Sequence, residues 1–297
     1  MTGLIIKVFG ERNTGTRAVG AMLAGMPHVR RRIGPPPERA LDGRVEAAIL
    51  GQMKGNWRRL YLHALRDEAQ AKESAVDPWK HAAPKLTREM VSAGVRTILM
   101  HRNPYSWFLS FARRPYHLKG PPASSLEAFL HRPWMTERRE GVDAVLASPM
   151  QLWSVKLAAA ERYRISALDR GLYCEFMSFE EFLQSPRDAL ERVLLDMHVG
   201  LEGLAALPEN TKRGDADAAT LAAYYRRERW KADLTAPLVK GINALVDWEL
   251  AARRGYAALD PADFSERLPE ARAAEIAHEM SGLGVLADRS AGLGQVG

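Results

Sequence analysis

Apolar residues fall along this chain in two patterns. Leu4-Ile5-Ile6-Lys7-Val8-Phe9 and Val95-Arg96-Thr97-Ile98-Leu99-Met100-His101 are short, nearly continuous apolar runs. Runs of this kind belong to strands buried on both faces. Gly171-Leu172-Tyr173-Cys174-Glu175-Phe176 reads as a third, shorter strand. Elsewhere the spacing is helical. Val19, Met22, Leu23 and Met26 share one side of a helix that stops near Pro27, and Gly34-Pro35-Pro36-Pro37 breaks the chain. Residues 44–73 carry Val45, Ile49, Leu50, Leu60, Leu62 and Leu65 among charges and read as mainly helical. Further helices are predicted over 86–93, from Asn103-Pro104 onward, and over 124–131, 148–168, 179–197, 217–230 and 236–254. Asn103 suits an N-cap and Pro104 the first helical position.

Strands alternating with helices predict a three-layer α/β/α fold with a mainly parallel central sheet and helical insertions. Residues 1–256 are read as one domain, with 34–76 and 113–150 as insertions, and 257–297 as a C-terminal helix and flexible tail. With 297 residues, 46% hydrophobic and 26% charged, the chain can bury a sizeable core. It has no apolar run of 18 residues, so no membrane partner is expected. The lone Cys174 excludes a disulfide framework and a Cys-rich metal site. The N-terminus lacks a basic region, an apolar stretch and a small-residue cleavage site, so a cytoplasmic location is expected.

Charge sharpens the picture. The net charge is +6, with seven basic against two acidic residues over 1–40 and six against one over 95–135. Two local positive segments, each following an apolar strand, fit a small polyanion. They do not line one helix or an aromatic-interleaved sheet, so nucleic acid is not expected as a partner.

Each segment carries a motif. Gly10-Glu11-Arg12-Asn13-Thr14-Gly15-Thr16-Arg17 lies between strand and helix and has the frame of a phosphate-binding loop. A nucleotide triphosphatase needs Lys-Ser/Thr after the second glycine; here Thr16 and Arg17 stand there, which disfavours a P-loop kinase. Thr14 and Thr16 offer hydroxyls, Arg12 and Arg17 charge. After the second strand comes Arg102-Asn103-Pro104, with Ser110 eight residues beyond the arginine. An arginine fork and a helical hydroxyl together can grip a second phosphate.

Together the two motifs resemble the sulfotransferase family, whose donor is 3′-phosphoadenosine 5′-phosphosulfate. Residues 10–16 resemble its P-loop-like 5′-phosphosulfate loop; Arg102-Asn103-Pro104 with Ser110 resembles its 3′-phosphate motif. Lys80-His81 lies where family members place a Lys/His segment near the acceptor. Phe179-Glu180-Glu181-Phe182 with Pro186 resembles a Tyr-Glu-Asp-Leu…Pro stretch, and Lys212-Arg213-Gly214 a late basic loop. The resemblance spans residues 3–256. It departs at Asn13, where the family loop has a lysine that polarises the bridging oxygen of the leaving sulfate. Arg12, Arg17 and Lys80 are the substitutes at hand.

The resemblance implies sulfuryl transfer to a hydroxyl or amine of a small-molecule or carbohydrate acceptor, with adenosine 3′,5′-bisphosphate as product and no metal. It makes His81 the general base, and Arg12, Arg17 and Lys80 the cations on the sulfate. Asn13, Thr14, Gly15 and Thr16 fall to the 5′-phosphate, Arg102, Ser110, Arg213 and Gly214 to the 3′-phosphate. Trp57, Tyr61, His63, Tyr116, His117 and Trp134 fall in the two insertions, which are expected to shape the acceptor pocket. Trp107, Phe108, Trp153, Trp230 and Trp248 are expected to be packing residues. The alternatives are a small-molecule or nucleotide kinase and a nucleotide-binding protein without catalysis.

Overall fold

A computed structural model describes residues 4–32, 48, 51–52, 55–115, 118, 121–207 and 218–281. Its elements in chain order are β1 (Leu4–Gly10), α1 (Thr16–Met22), β2 (Val29–Arg32), α2 (Gly55–Ser74), α3 (Arg88–Ser92), β3 (Arg96–His101), α4 (Pro104–Arg113) and α5 (Leu126–Leu130). A small hairpin of β4 (Trp134–Met135) and β5 (Val145–Leu146) follows, then α6 (Pro149–Leu168), β6 (Cys174–Ser178), α7 (Phe179–Gln184) and α8 (Pro186–Asp196). The described chain ends with α9 (Ala218–Arg226), α10 (Ala236–Leu245), α11 (Trp248–Ala252) and α12 (Glu270–Ser281).

The fold is α/β, with a parallel sheet ordered β2-β1-β3-β6 and flanked by helices. Period-two alternation divides the strand residues between the two faces. Ile6 and Val8 of β1, with Ile98 and Met100 of β3, pack against α1, α7 and α8 through Val19, Met22, Phe182, Leu190 and Val193. Phe9 and Leu99 point the other way, onto Ala160 and Tyr163 of α6 and Met90 of α3. A third, helical core gathers Trp107, Phe108, Phe111, Trp153, Trp230 and Leu238.

Several elements differ from the pattern reading. Strand β2 went unread because three of its four residues are arginines; backbone pairing to β1 makes it a strand, with Leu4 opposite Val29. The third predicted strand lies a few residues further on, at 174–178, because Gly171 takes a left-handed turn (φ 69°) before it. The helix predicted over 179–197 is two, divided at Ser185 with Pro186 opening the second. The one over 236–254 breaks at Val246, and Asp247 caps a short successor through the Leu250 N–H. The helix over 217–230 ends at Arg226, followed by a 3-10 turn at 229–233. Residues 208–217 and 282–297 lie outside the described residues.

From β1 the chain goes to β2 on one side and later to β3 on the other, so the sheet order reverses between β1 and β3. At such a point the loops leaving the two strands part and open a crevice at their C-terminal ends. The loop after β1 and Arg102 after β3 meet there. Gly10, where β1 ends, admits no side chain: a Cβ would lie 2.5 Å from Thr14 Oγ1 and 2.6 Å from Met100 Cβ. Gly10→Ala should therefore cost about 1–3 kcal/mol, as overpacking of a filled site does, measured as a shift of the urea midpoint at unchanged slope. An unshifted midpoint would mean the loop can move away from the strand end.

Candidate functional site

The loop from Gly10 to Thr16 is held by its carbonyls. Thr14 Oγ1 donates to Glu11 O at 2.6 Å, Trp107 Nε1 donates to Arg12 O at 3.0 Å, and Arg102 Nη1 donates to Asn13 O at 2.7 Å. Asn13 and Gly15 are left-handed, with φ of 67° and 86°; Asn and Gly are the residues that tolerate this. Gly15 is the N-cap of α1 and provides no side-chain cap. The first amides of the helix thus have neither an intrahelical nor a side-chain acceptor. A backbone turned this way gathers its N–H groups into an anion cradle.

Lys80 and His81 lie against this loop. Gly10 N–H donates to Lys80 O at 3.0 Å, and His81 Nδ1 lies 2.7 Å from Gly10 O. A carbonyl only accepts, so Nδ1 carries the proton and Nε2 keeps its lone pair. The stretch before is tied to β1: Lys7, fully buried, donates to Asp77 Oδ1 at 2.8 Å and to Pro78 O at 2.5 Å. Burial, then Lys80 and Arg12, hold the His81 imidazole well below its usual range. Burial and the charge of Arg17 lower Lys80. Arg17 is exposed, and among the described residues neither it nor Lys80 has a carboxylate partner. Two neighbouring cations suit an anion.

Arg12 faces the other way. Its Nη2 lies 2.7 Å from Glu140 Oε1, its Nη1 3.2 Å from Glu11 Oε1, and its guanidinium stacks over Trp79 at 5.0 Å. Lys156 of α6 completes a buried group of four charges: it pairs with Glu11 and, at 2.6 Å, with Glu140 Oε2. Burial alone would raise the Glu140 carboxyl, but Arg12 and Lys156 hold it well below the usual range. The expected sulfate cation Arg12 is thus neutralised inside the protein, and Thr14 spends its hydroxyl proton on the loop.

Arg102 is also largely engaged. Of the five N–H donors of a guanidinium, four are taken: Nε by Ser106 Oγ at 3.0 Å, Nη1 by Asn13 O, and Nη2 by Ser106 O at 2.8 Å and Tyr225 Oη at 2.7 Å. The rings of Phe179 and Tyr225 lie 4.4 and 4.7 Å from its carbon. Arg102 meets Ser106, one turn into α4; Ser110 lies a further turn along the same helix. Glu180 accepts from Asn103 N–H at 3.0 Å and from the Tyr256 hydroxyl at 3.1 Å, and His101 Nδ1 lies 2.7 Å from that hydroxyl. The Phe179-Glu180 pair thereby supports both loops. Arg213 and Gly214 lie outside the described residues, as do Tyr116 and His117.

Trp134 is not free to line a pocket: it is buried against Phe111 and Phe129. Trp107, Phe108, Trp153 and Trp230 are packed in the core as expected. Sequence reasoning passed over Glu11, Glu140, Lys156, Trp79, Ser106 and Tyr225. Lys156 had a signal: it shares a helical face with Leu152, Trp153 and Ala160, all buried.

A cavity of about 30 Å³ lies behind the loop, lined by Gly10, Glu11, Thr14, Arg102, Trp153 and Lys156. It holds about one water. Among the described residues no group of three or more His, Cys, Asp or Glu is placed to hold a metal ion, and none of their helices is long and apolar enough to cross a membrane.

No protein-family model matches the chain, and no curated protein matches it. Among solved structures it is similar to the sulfotransferase domain from the curacin biosynthetic pathway, at 14% identity over 87% of this chain and 99% of that one, with a TM-score of 0.40. It is also similar to a sulfotransferase from Alicyclobacillus acidocaldarius, at 15% identity over 86% and 100%, with a TM-score of 0.35. Both neighbours are sulfotransferases. The chemistry of this site rests on its own residues.

Burial also fixes a pH dependence. His101 is pushed down to about 3 by burial and Arg254, and His81 well below 6.5. Both are neutral when folded and take up protons below pH 6.5 when unfolded. Their stability is therefore present above that pH and lost as pH falls, by about 1.4 kcal/mol per pH unit for each histidine. Urea unfolding followed between about pH 7.5 and 5 should show this slope, and His101→Gln should remove about one proton from it. A pH-independent midpoint would contradict the burial of both rings.

Proposed function

We propose that the chain is a sulfotransferase that moves a sulfuryl group from 3′-phosphoadenosine 5′-phosphosulfate to a hydroxyl or amine of a small-molecule or carbohydrate acceptor. The observation that carries this is Lys80-His81 lying against a loop whose residue 13 is asparagine. The resemblance calls for a cation at the bridging oxygen, and Lys80 brings one from a neighbouring segment, with Arg17 beside it.

The residues fit such a donor. The loop is uncapped, left-handed at Asn13 and Gly15, and shaped so that Gly10 leaves no room for a side chain. The backbone amides of Asn13, Gly15, Thr16 and Arg17, with the Thr16 hydroxyl, would hold the 5′-phosphate. Arg17 and Lys80 would hold the sulfate oxygens, stabilising charge that develops on the leaving side. Arg102, through its remaining Nη1–H, and Ser110 would hold the 3′-phosphate, with Arg213 and Gly214 in the late loop. When bound, the donor supplies the sulfuryl group. His81 Nε2 would take the acceptor proton, since Gly10 O fixes the Nδ1–H form and burial, with the surrounding cations, keeps the ring neutral near pH 7. Arg12 supports the loop from behind instead of touching the donor. The two insertions, joined where Asp67 of α2 accepts from the Arg138 N–H at 2.7 Å, would frame the acceptor.

Calorimetric titration with adenosine 3′,5′-bisphosphate, with ATP as control and Mg²⁺ omitted, tests the reading. The bisphosphate should bind and ATP should not; equal binding of both would reject it. On a panel of phenols, sugars and amines, His81→Ala should lower transfer by about a hundredfold or more while bisphosphate affinity stays within about threefold. Lys80→Ala should cost transfer more than binding. Unimpaired turnover by His81→Ala would remove the base assignment.

A further inference from the structure

Glu140 and Lys156 are not among the groups proposed to hold the donor, yet they grip the loop and the segment that carry those groups. Lys156 leaves the buried face of α6 and donates to His81 O at 2.7 Å. The same ammonium pairs with Glu140 and Glu11. Glu140 ends the 3-10 turn at 138–140 between β4 and β5. One of its oxygens takes Arg12 and the other Lys156, and its own carbonyl accepts Ala83 N–H at 2.8 Å. His81 is thus gripped from the loop side by Gly10 and from behind by Lys156. The turn that carries Glu140 is in turn clamped to α2, where Asp67 accepts the N–H groups of Arg138 and Arg139.

We propose that Glu140 and Lys156 are positioning residues that lock the His81 imidazole and the Gly10–Thr16 loop to the hairpin insertion as one unit. The positive charges of Arg12 and Lys156 stand against the negative ones of Glu11 and Glu140, all four are buried, and the buried Glu137 and Arg139 lie close enough to act on them. An unmatched charge in such a place has no solvent to screen it. Removing any one must therefore move the groups it holds or change the field they feel. The significance of His81 rests on its proposed role as base, but the measurements below do not use transfer, so the two ideas fail separately.

The charges facing His81 are Lys80 in its own segment, Arg12 and Glu11 in the loop, Lys156 from α6 and Glu140 from the hairpin turn. Lys156→Gln takes one of three positive charges away from the ring and leaves both carboxylates in place. Lys156→Gln with Glu140→Gln removes one charge of each sign and so restores the native net charge of the set. NMR titration of the histidine ring resonances reads the outcome. The single variant should raise the proton affinity of His81 about tenfold or more, and the double variant should return it to within about threefold of the native value. A role confined to stability would lower the melting temperature and leave this titration in place. An unchanged His81 titration in a cooperatively folded single variant overturns the proposal, as does a double variant displaced as far as the single. Should the single variant fail to fold, recovery of folding by the double variant is the expected coupling, and a double variant equally unfolded overturns it.

Discussion

Burying an ion costs several kcal/mol unless its partners stand in place, and this chain buries four around one point. Arg12 comes from the loop after β1, Glu11 from the same loop, Glu140 from the hairpin insertion and Lys156 from α6. None can be solvated without pulling its segment out of the fold, and removing a single partner from such a group typically costs about 3–5 kcal/mol. The arrangement adds little net stability over an apolar core of the same volume. It adds definition: only one placement of loop, insertion and helix satisfies every charge at once. The position of His81, pinned by a backbone carbonyl on one side and an ammonium on the other, follows from that single solution.

The sheet supplies the rest. Parallel strands deliver two loops to one edge of the crevice, and Arg102 joins them by spending most of its donors on the first loop and on the helix after the second. A guanidinium between Phe179 and Tyr225 has its faces covered by rings and its edge by acceptors. It behaves as a rivet. Arg17 and Lys80 are close enough for the charge of one to lower the other.

The central strands β1 and β3 were legible because burial on both faces demands apolar runs, and the loop because glycine was needed at both its ends. The ion cluster was not legible. Glu140 sits among the charges of Thr136-Glu137-Arg138-Arg139-Glu140, where a surface turn is the ordinary expectation, and its partners are distant in sequence. Lys7 and Lys156 were visible as single charges inside apolar stripes, a pattern that marks a buried charge with a partner elsewhere, but the pattern cannot say where. The divided helices were missed because one proline or one aspartate cap interrupts a periodicity that otherwise continues. Strand β2 was missed because its membership depends on hydrogen bonds that its side chains do not advertise.

The arginines that hid β2 have a further effect. Among the described residues no strand pairs with the other edge of β2. An open edge invites a strand from another molecule. Three arginines in four residues make β2 a strand of like charge, and like charges set opposite one another across a ladder repel. Such repulsion weakens as salt screens it.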